Sequence, residues 1–144
     1  MNREYLVSAG IGEPPEPYCQ VVKAGSLVFI AGQVALDENW QVVGVGDPRA
    51  QAEQVWKNLE RAAVAAGGSA GDIVKITVFL ADIRHAAAEM EVRARYFEPG
   101  RWPICTQVQG EPGAARVADG GRRDRRGRSG LTLLSHRNLT KGAR

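Results

Sequence analysis

The run Asp72-Ile73-Val74-Lys75-Ile76-Thr77-Val78-Phe79-Leu80-Ala81-Asp82 alternates with the period of a strand and is crowded with β-branched residues. Val74, Ile76, Val78 and Leu80 fall on one face. Ile73 and Phe79 share the other with the polar Lys75 and Thr77. Helix signals flank the run on both sides. Upstream, Asp47-Pro48 supplies an N-cap and a proline at the first helical position. Val55, Leu59, Ala62, Ala63 and Ala66 then recur at helical spacing, while Glu53, Lys57 and Arg61 are expected to face water. Gly67-Gly68 ends that helix. Downstream, Asp82 can cap a second helix running to about Phe97, with Pro99-Gly100 as its stop.

Working further outward, residues 20–34 predict two short strands around a turn at Ala24–Ser26, with Leu27–Ile30 as an apolar run. Gly32 there suggests a bulge or a close approach by another group. Residues 34–46 continue as a polar hairpin-like loop that turns at Asp37–Asn39 and includes a short strand at Val42–Val43. Pro103 to Val108 predicts a last strand. The order ββ-α-β-α-β indicates an α+β domain with two helices on one face of a mixed sheet. Gly44-x-Gly46 lacks the third glycine and the strand–turn–helix setting of a dinucleotide loop, so it reads as a surface turn.

With 144 residues, 44% of them hydrophobic and 24% charged, the chain suits one soluble domain. No stretch approaches the roughly 18 apolar residues of a membrane span. The opening residues, with Arg3 and Glu4, have no apolar signal core, so a cytoplasmic protein is expected. Cys19 and Cys105 form no CxxC pair and His85 and His136 no cluster; buried thiols are expected rather than a disulfide, and no metal site. The net charge of +3 conceals an asymmetry: residues 1–109 hold 10 basic and 13 acidic residues, and residues 110–144 hold 9 and 3. Any nucleic-acid argument therefore rests on the tail and its Arg122–Arg128 cluster. That cluster has no aromatic interleaving and no RNA-binding module, so nucleic-acid binding is not expected.

Pro17-Tyr18-Cys19-Gln20, Ala24-Gly25 and Val28-Phe29-Ile30-Ala31-Gly32-Gln33 resemble the N-terminal signature of the Rid (YjgF-type) family. Residues Asp72 to Asp82 resemble its central strand, and Glu91-Val92-Arg93-Ala94-Arg95-Tyr96-Phe97 followed by Pro103 its second helix and the approach to the next strand. The likeness runs through about residue 109. It implies a chorismate-mutase-like fold and a homotrimer whose sheets form a central barrel, with ligand sites in the clefts between subunits. It also implies hydrolysis of enamine or imine intermediates to keto acids and ammonia. No cofactor is implied, because the imine carbon is already electrophilic.

Carried over residue by residue, the resemblance places Tyr18 at the family's site tyrosine and Gly32 at the glycine whose backbone meets the ligand, followed by Gln33. Cys105 stands where the family has its carboxylate-binding arginine, Gln107 where it has a cysteine, and Met90 where it has a helix asparagine. The chain thus resembles members that lack the arginine. A charge-assisted contact contributes about 1.5–3 kcal/mol, so carboxylate binding is expected to be weakened. Two roles stay open, a deaminase and a non-catalytic trimer binding a small metabolite. Each residue also has a plainer reading: Tyr18 as an interface or core aromatic, Gly32 as a bulge, Cys105 as a small buried residue, Met90 as a cleft-lining group.

Residues 110–144 read as a separate Arg/Gly-rich tail outside the family pattern, irregular or disordered, with Leu131, Leu133 and Leu134 too few to build a core. The resemblance calls for a last strand and a catalytic Glu within 110–128. Read one base later through permitted codons, that segment can encode VSLARPEWLMVEGEIDAVA, with a Glu at the codon for Arg123, so a shifted reading frame is a second expectation for this tail.

Overall fold

Asp47 starts the longer helix as its side chain dictates: Oδ1 accepts from the backbone N–H of Arg49 at 3.0 Å and of Ala50 at 3.1 Å. The helix, α1, spans Pro48–Ala65 and ends where Gly67 takes a φ of 80°. In this computed structural model residues 2–15 and 17–110 are described in full, and residues 131–134 through their backbone. The first strands are β1 (Arg3–Leu6), β2 (Val21–Ala24) and β3 (Leu27–Ile30), which form an antiparallel three-stranded sheet in that order. Gly25, at a φ of 61°, makes the tight β2–β3 turn. β1 gave no sequence signal because Arg3, Glu4 and Tyr5 are all exposed, so no alternation marks it.

The second sheet has the order β4-β7-β5-β6, from β4 (Gln33–Val34), β5 (Lys75–Leu80), β6 (Ile104–Gln109) and β7 (Leu131–Leu134). β5 and β6 run parallel, with Ile76 opposite Cys105 and Val78 opposite Gln107. A helical connection joins them, as parallel pairing requires. It comprises a 3-10 turn at Ile83–His85 capped by Asp82, the helix α2 (Ala86–Arg93), and a second 3-10 turn at Ala94–Tyr96. Ile76, Val78 and Leu80 of β5 are buried as the alternation predicts. Val74, by contrast, is exposed and Ile73 buried: residues 70–72 form a 3-10 turn, so strand alternation does not extend back to them.

Among the described residues, the tail departs from its expected lack of strands at Leu131–Leu134. The Leu131–Leu134 backbone pairs antiparallel with β5 on one side and β4 on the other. Pairing supplied by two neighbours can hold four residues that have no turn signals and little length of their own. The shifted-frame segment 110–128, apart from Gly110, and the Arg122–Arg128 cluster lie outside the described residues. The predicted strand at Val42–Val43 is reduced to one bridge, Leu36 to Val42.

One core joins both sheets to α1. Val21, Val28 and Ile30 from the first sheet meet Ile76, Val78 and Leu80 from the second across Val55, Trp56, Leu59, Ala62 and Ala63. Trp56, fully buried, stacks on Tyr96 with ring centroids 5.2 Å apart and meets Phe97 edge-on at 5.6 Å. This aromatic cluster fixes α2 and the chain leading to β6 against α1. The architecture is the α+β arrangement of two helices and mixed sheet.

Candidate functional site

Two groups of side chains stand out, and the sequence candidates divide between them. The first is an open cleft beside β4, lined among others by Tyr18, Gly32, Gln33, Asp37, Trp40 and Asn58. Its floor is rigid. Asn58, 2% exposed, donates through Nδ2 to the carbonyls of Leu36 at 2.9 Å and Val34 at 3.2 Å, while its Oδ1 accepts from Gln54 Nε2 at 2.9 Å. Gln33 Nε2 donates to the Ala31 carbonyl at 3.1 Å. The loop above is shaped by Asp37, whose Oδ1 accepts from the backbone N–H groups of Asn39 and Gln41, each at 2.9 Å.

Trp40 lies in this cleft with a φ of 61°, a left-handed conformation that a bulky side chain adopts only when its surroundings impose it. Its indole passes over Gly12. A Cβ at that glycine would fall 2.8 Å from Trp40 Cδ1 and closer still to Nε1. Gln20 Nε2 donates to the Gly12 carbonyl and so fixes the segment under the indole. Tyr18 and Gly32, the two positions that match the resemblance, therefore line one cleft with Gln33.

The second group lies between α2 and β6. Cys105 and Gln107, on one face of β6, both reach α2, the helix that carries Met90. Glu89 is the centre of this group and is wholly buried. Its Oε1 accepts from Trp56 Nε1 at 3.2 Å and its Oε2 from Gln107 Nε2 at 3.2 Å. Arg93, one turn along, places Nη1 3.6 Å from Glu89 Oε2 and 2.7 Å from Cys105 Sγ. Burial pushes the Glu89 carboxyl above its ordinary pKa, although the Arg93 charge and the hydrogen bonds from Trp56 and Gln107 pull the other way.

Met90, Cys105 and Gln107 do not line the Tyr18 cleft, so the six candidates form two sets within one chain. Glu89 and Arg93 were not singled out from the sequence. Their signal was a carboxylate and a guanidinium at i and i+4, with the carboxylate on the inward stripe three residues before Val92. The two thiols correct an expectation. Cys19 and Cys105 are exposed in the chain rather than buried, Cys105 on β6, the last strand in the order of its sheet. Among the described residues no group of three His, Cys, Asp or Glu side chains could hold a metal ion, and no helix is long and apolar enough to cross a membrane.

Residues 11–115 match the family described as endoribonuclease L-PSP. A RutC family protein of Pyrococcus horikoshii is 38% identical over 95 residues, which cover 66% of this chain and 75% of that one. The 3-aminoacrylate deaminase RutC of Acinetobacter baylyi is 36% identical over 111 residues, covering 75% of this chain and 86% of the relative. Among solved structures, RidA from an Antarctic Psychrobacter is 27% identical with a TM-score of 0.74, covering 96% of this chain and 99% of that one. Escherichia coli TdcF, determined with bound serine, is 25% identical with the same TM-score and coverage. The central strand, the N-terminal signature and the fold all agree with these matches: the chain belongs to the Rid (YjgF-type) family, the endoribonuclease L-PSP group of α+β proteins.

Proposed function

We propose that this protein is a hydrolytic deaminase of small enamine or imine compounds, working as a homotrimer in the cytoplasm without a cofactor. The observation that carries this reading is the placement of Tyr18, Gly32 and Gln33 around one cleft with Asp37, the carboxylate among its described lining residues. The similarity to a relative named 3-aminoacrylate deaminase supports the reaction class. In this reading the Tyr18 cleft of one subunit and the Met90–Cys105–Gln107 group of a neighbour complete one site. Water adds to the imine carbon, with Asp37 placed to accept its proton. The imine nitrogen takes one proton to give a carbinolamine. The amine then takes the second, the hydroxyl gives up its own, and the C–N bond breaks as the C=O forms, releasing ammonia and a carbonyl compound. A cysteine side chain offers no positive charge to grip a carboxylate, so the β6 position itself binds such a group weakly.

The test is ammonia release from 2-aminoacrylate and 3-aminoacrylate generated in situ, compared with buffer and with Asp37→Asn. Acceleration by the wild type that falls in the variant supports the reading; rates equal to buffer on both compounds overturn it. One observation favours the second reading, a small-metabolite-binding trimer without turnover: Glu89, the carboxylate of the α2–β6 group, is fully buried and out of reach of a water on substrate. That reading predicts thermal stabilisation by a small metabolite with no product formed.

A further inference from the structure

We infer that Arg93 is the carboxylate-binding residue of the α2–β6 group, supplying from the helix the positive charge that Cys105 does not supply from the strand. The inference deepens the deaminase reading and rests on it for the identity of the ligand, a small organic monocarboxylate. It begins with charge. A guanidinium stays protonated at any working pH and offers five N–H donors. The Arg93 side chain is only 13% exposed, so its charge is largely removed from water. One contact is with Cys105 Sγ, a weak acceptor that carries no charge as a thiol.

The other is with Glu89, whose two oxygens already accept from Trp56 and Gln107 and which lies 3.6 Å from the guanidinium, beyond hydrogen-bond length. Among the described residues Nε and Nη2 of Arg93 make no hydrogen bond. The other arginines nearby differ. Arg49 is paired with Glu91 and Arg95 with Glu53, all on the exposed surface, and Arg101 lies 3.5 Å from Glu98. Arg93 thus combines partial burial with unfilled donors, at the strand edge where Cys105 is exposed and three residues along α2 from Met90, which is 44% exposed.

The ligand class follows from the same inventory. A single guanidinium against a thiol, on a helix that also carries the exposed Met90, matches one carboxylate on a small, partly apolar skeleton. A phosphate or dicarboxylate would bring more negative charge than one arginine balances. The planar fork accepts a carboxylate through two parallel hydrogen bonds. Glu89 is a positioning residue here: buried and held from two sides, it fixes the guanidinium against β6 and does not touch ligand.

The experiment measures binding of 2-oxobutanoate and of its neutral amide, 2-oxobutanamide, to the full-length protein by NMR titration, for wild type, Arg93→Gln, Arg93→Lys and the double variant Arg93→Gln with Cys105→Arg. The wild type should prefer the carboxylate. Arg93→Gln should lose roughly tenfold or more in carboxylate affinity, as loss of a charge-assisted contact implies, with amide binding unchanged. Arg93→Lys should fall between them, because an ammonium cannot make the paired contact. Cys105→Arg should restore carboxylate binding in the Arg93→Gln background. If Arg93→Gln unfolds because it strands the buried Glu89, the pair Arg93→Gln with Glu89→Gln replaces it in every comparison.

Three results overturn the inference: a wild type that binds neither probe or binds both alike, an Arg93→Gln protein with unchanged carboxylate affinity, or equal loss of both probes. The two readings fail separately. A wild type that selects the carboxylate through Arg93 but releases no ammonia from either aminoacrylate removes the deaminase and leaves Arg93 as an anion site. Ammonia release that is indifferent to Arg93→Gln in KM does the reverse.

Discussion

Glu89 and Arg93 stand one turn apart on α2, and the turn separates two environments: the Glu89 side chain is 0% exposed, and the Arg93 side chain, 3.6 Å away, reaches solvent at 13%. The pair is asymmetric in its support as well. Glu89 takes hydrogen bonds from α1 through Trp56 and from β6 through Gln107, so the carboxylate ties three elements together. Removing one partner of such a pair costs more than the pair contributes, because the charge left behind stays buried.

This arrangement predicts a pH dependence. The folded-state pKa of Glu89 is raised above its ordinary value, chiefly by burial, so the folded protein binds the Glu89 proton more tightly than the unfolded chain. Its contribution to stability is therefore fullest at acid pH and declines as pH rises from the ordinary carboxylate pKa through the raised one. Glu89→Gln should flatten that decline. Urea unfolding at pH 4.5 and pH 8 should show a smaller difference between the two pH values for the variant than for the wild type.

Trp56 carries both packing and polarity. Trp56→Ala should destabilise the fold by about 3–5 kcal/mol, the usual cost of emptying a buried aromatic site. Trp56→Phe should cost less, yet it removes the Nε1 donor to Glu89 and so should raise the Glu89 pKa further. Chemical denaturation measures the first effect, and carboxyl NMR titration the second.

Gly12 sets the position of Trp40 in the Tyr18 cleft. Gly12→Ala places a methyl group 2.8 Å from Trp40 Cδ1, so the indole must move out of its present seat. Ligand binding or turnover at this cleft should fall, while affinity changes assigned to Arg93 should persist. Trp40 fluorescence gives a direct reading only if Trp56 and Trp102 are held constant, so the comparison is best made by difference spectra.

The cap of α1 is separable from the site. Asp47→Ala removes the acceptor for Arg49 and Ala50 and should cost about 1 kcal/mol of stability, with Asp47→Asn nearly neutral. Neither variant should alter ligand affinity at the Arg93 group. Thermal melts alongside the 2-oxobutanoate titration check both statements.

Gly44→Ala tests backbone strain near the start of α1. Gly44 has a φ of 70°, and a Cβ there would fall 2.8 Å from that of Ala50 and 2.9 Å from the Gln51 nitrogen. The variant should lose more than about 1 kcal/mol, since conformational strain and contact act together. A shift in urea midpoint is the measurement.

Local chemistry made α1 legible, because Asp47, Pro48 and the two glycines act within a few residues of themselves. The strand from Lys75 to Leu80 was equally plain, since alternation is a property of adjacent positions. β1 was hidden because Arg3, Glu4 and Tyr5 all lie in solvent and carry no apolar face. β7 was hidden because its pairing comes from β4 and β5, far away in the chain. At the candidate site, the resemblance supplied Tyr18, Gly32 and Cys105 but not Arg93, whose relation to Cys105 exists only once α2 lies against β6.

The sequence by itself determined α1 with its inward stripe, the alternation of β5 and the family signature, all consequences of side-chain pattern over short spans. Only the tertiary structure decided that Leu131–Leu134 enters the sheet, that Glu89 is buried among Trp56, Gln107 and Arg93, and that a guanidinium comes to rest beside Cys105. These are meetings between residues distant in sequence, and what fixes them is the burial of one shared core, which no local pattern specifies.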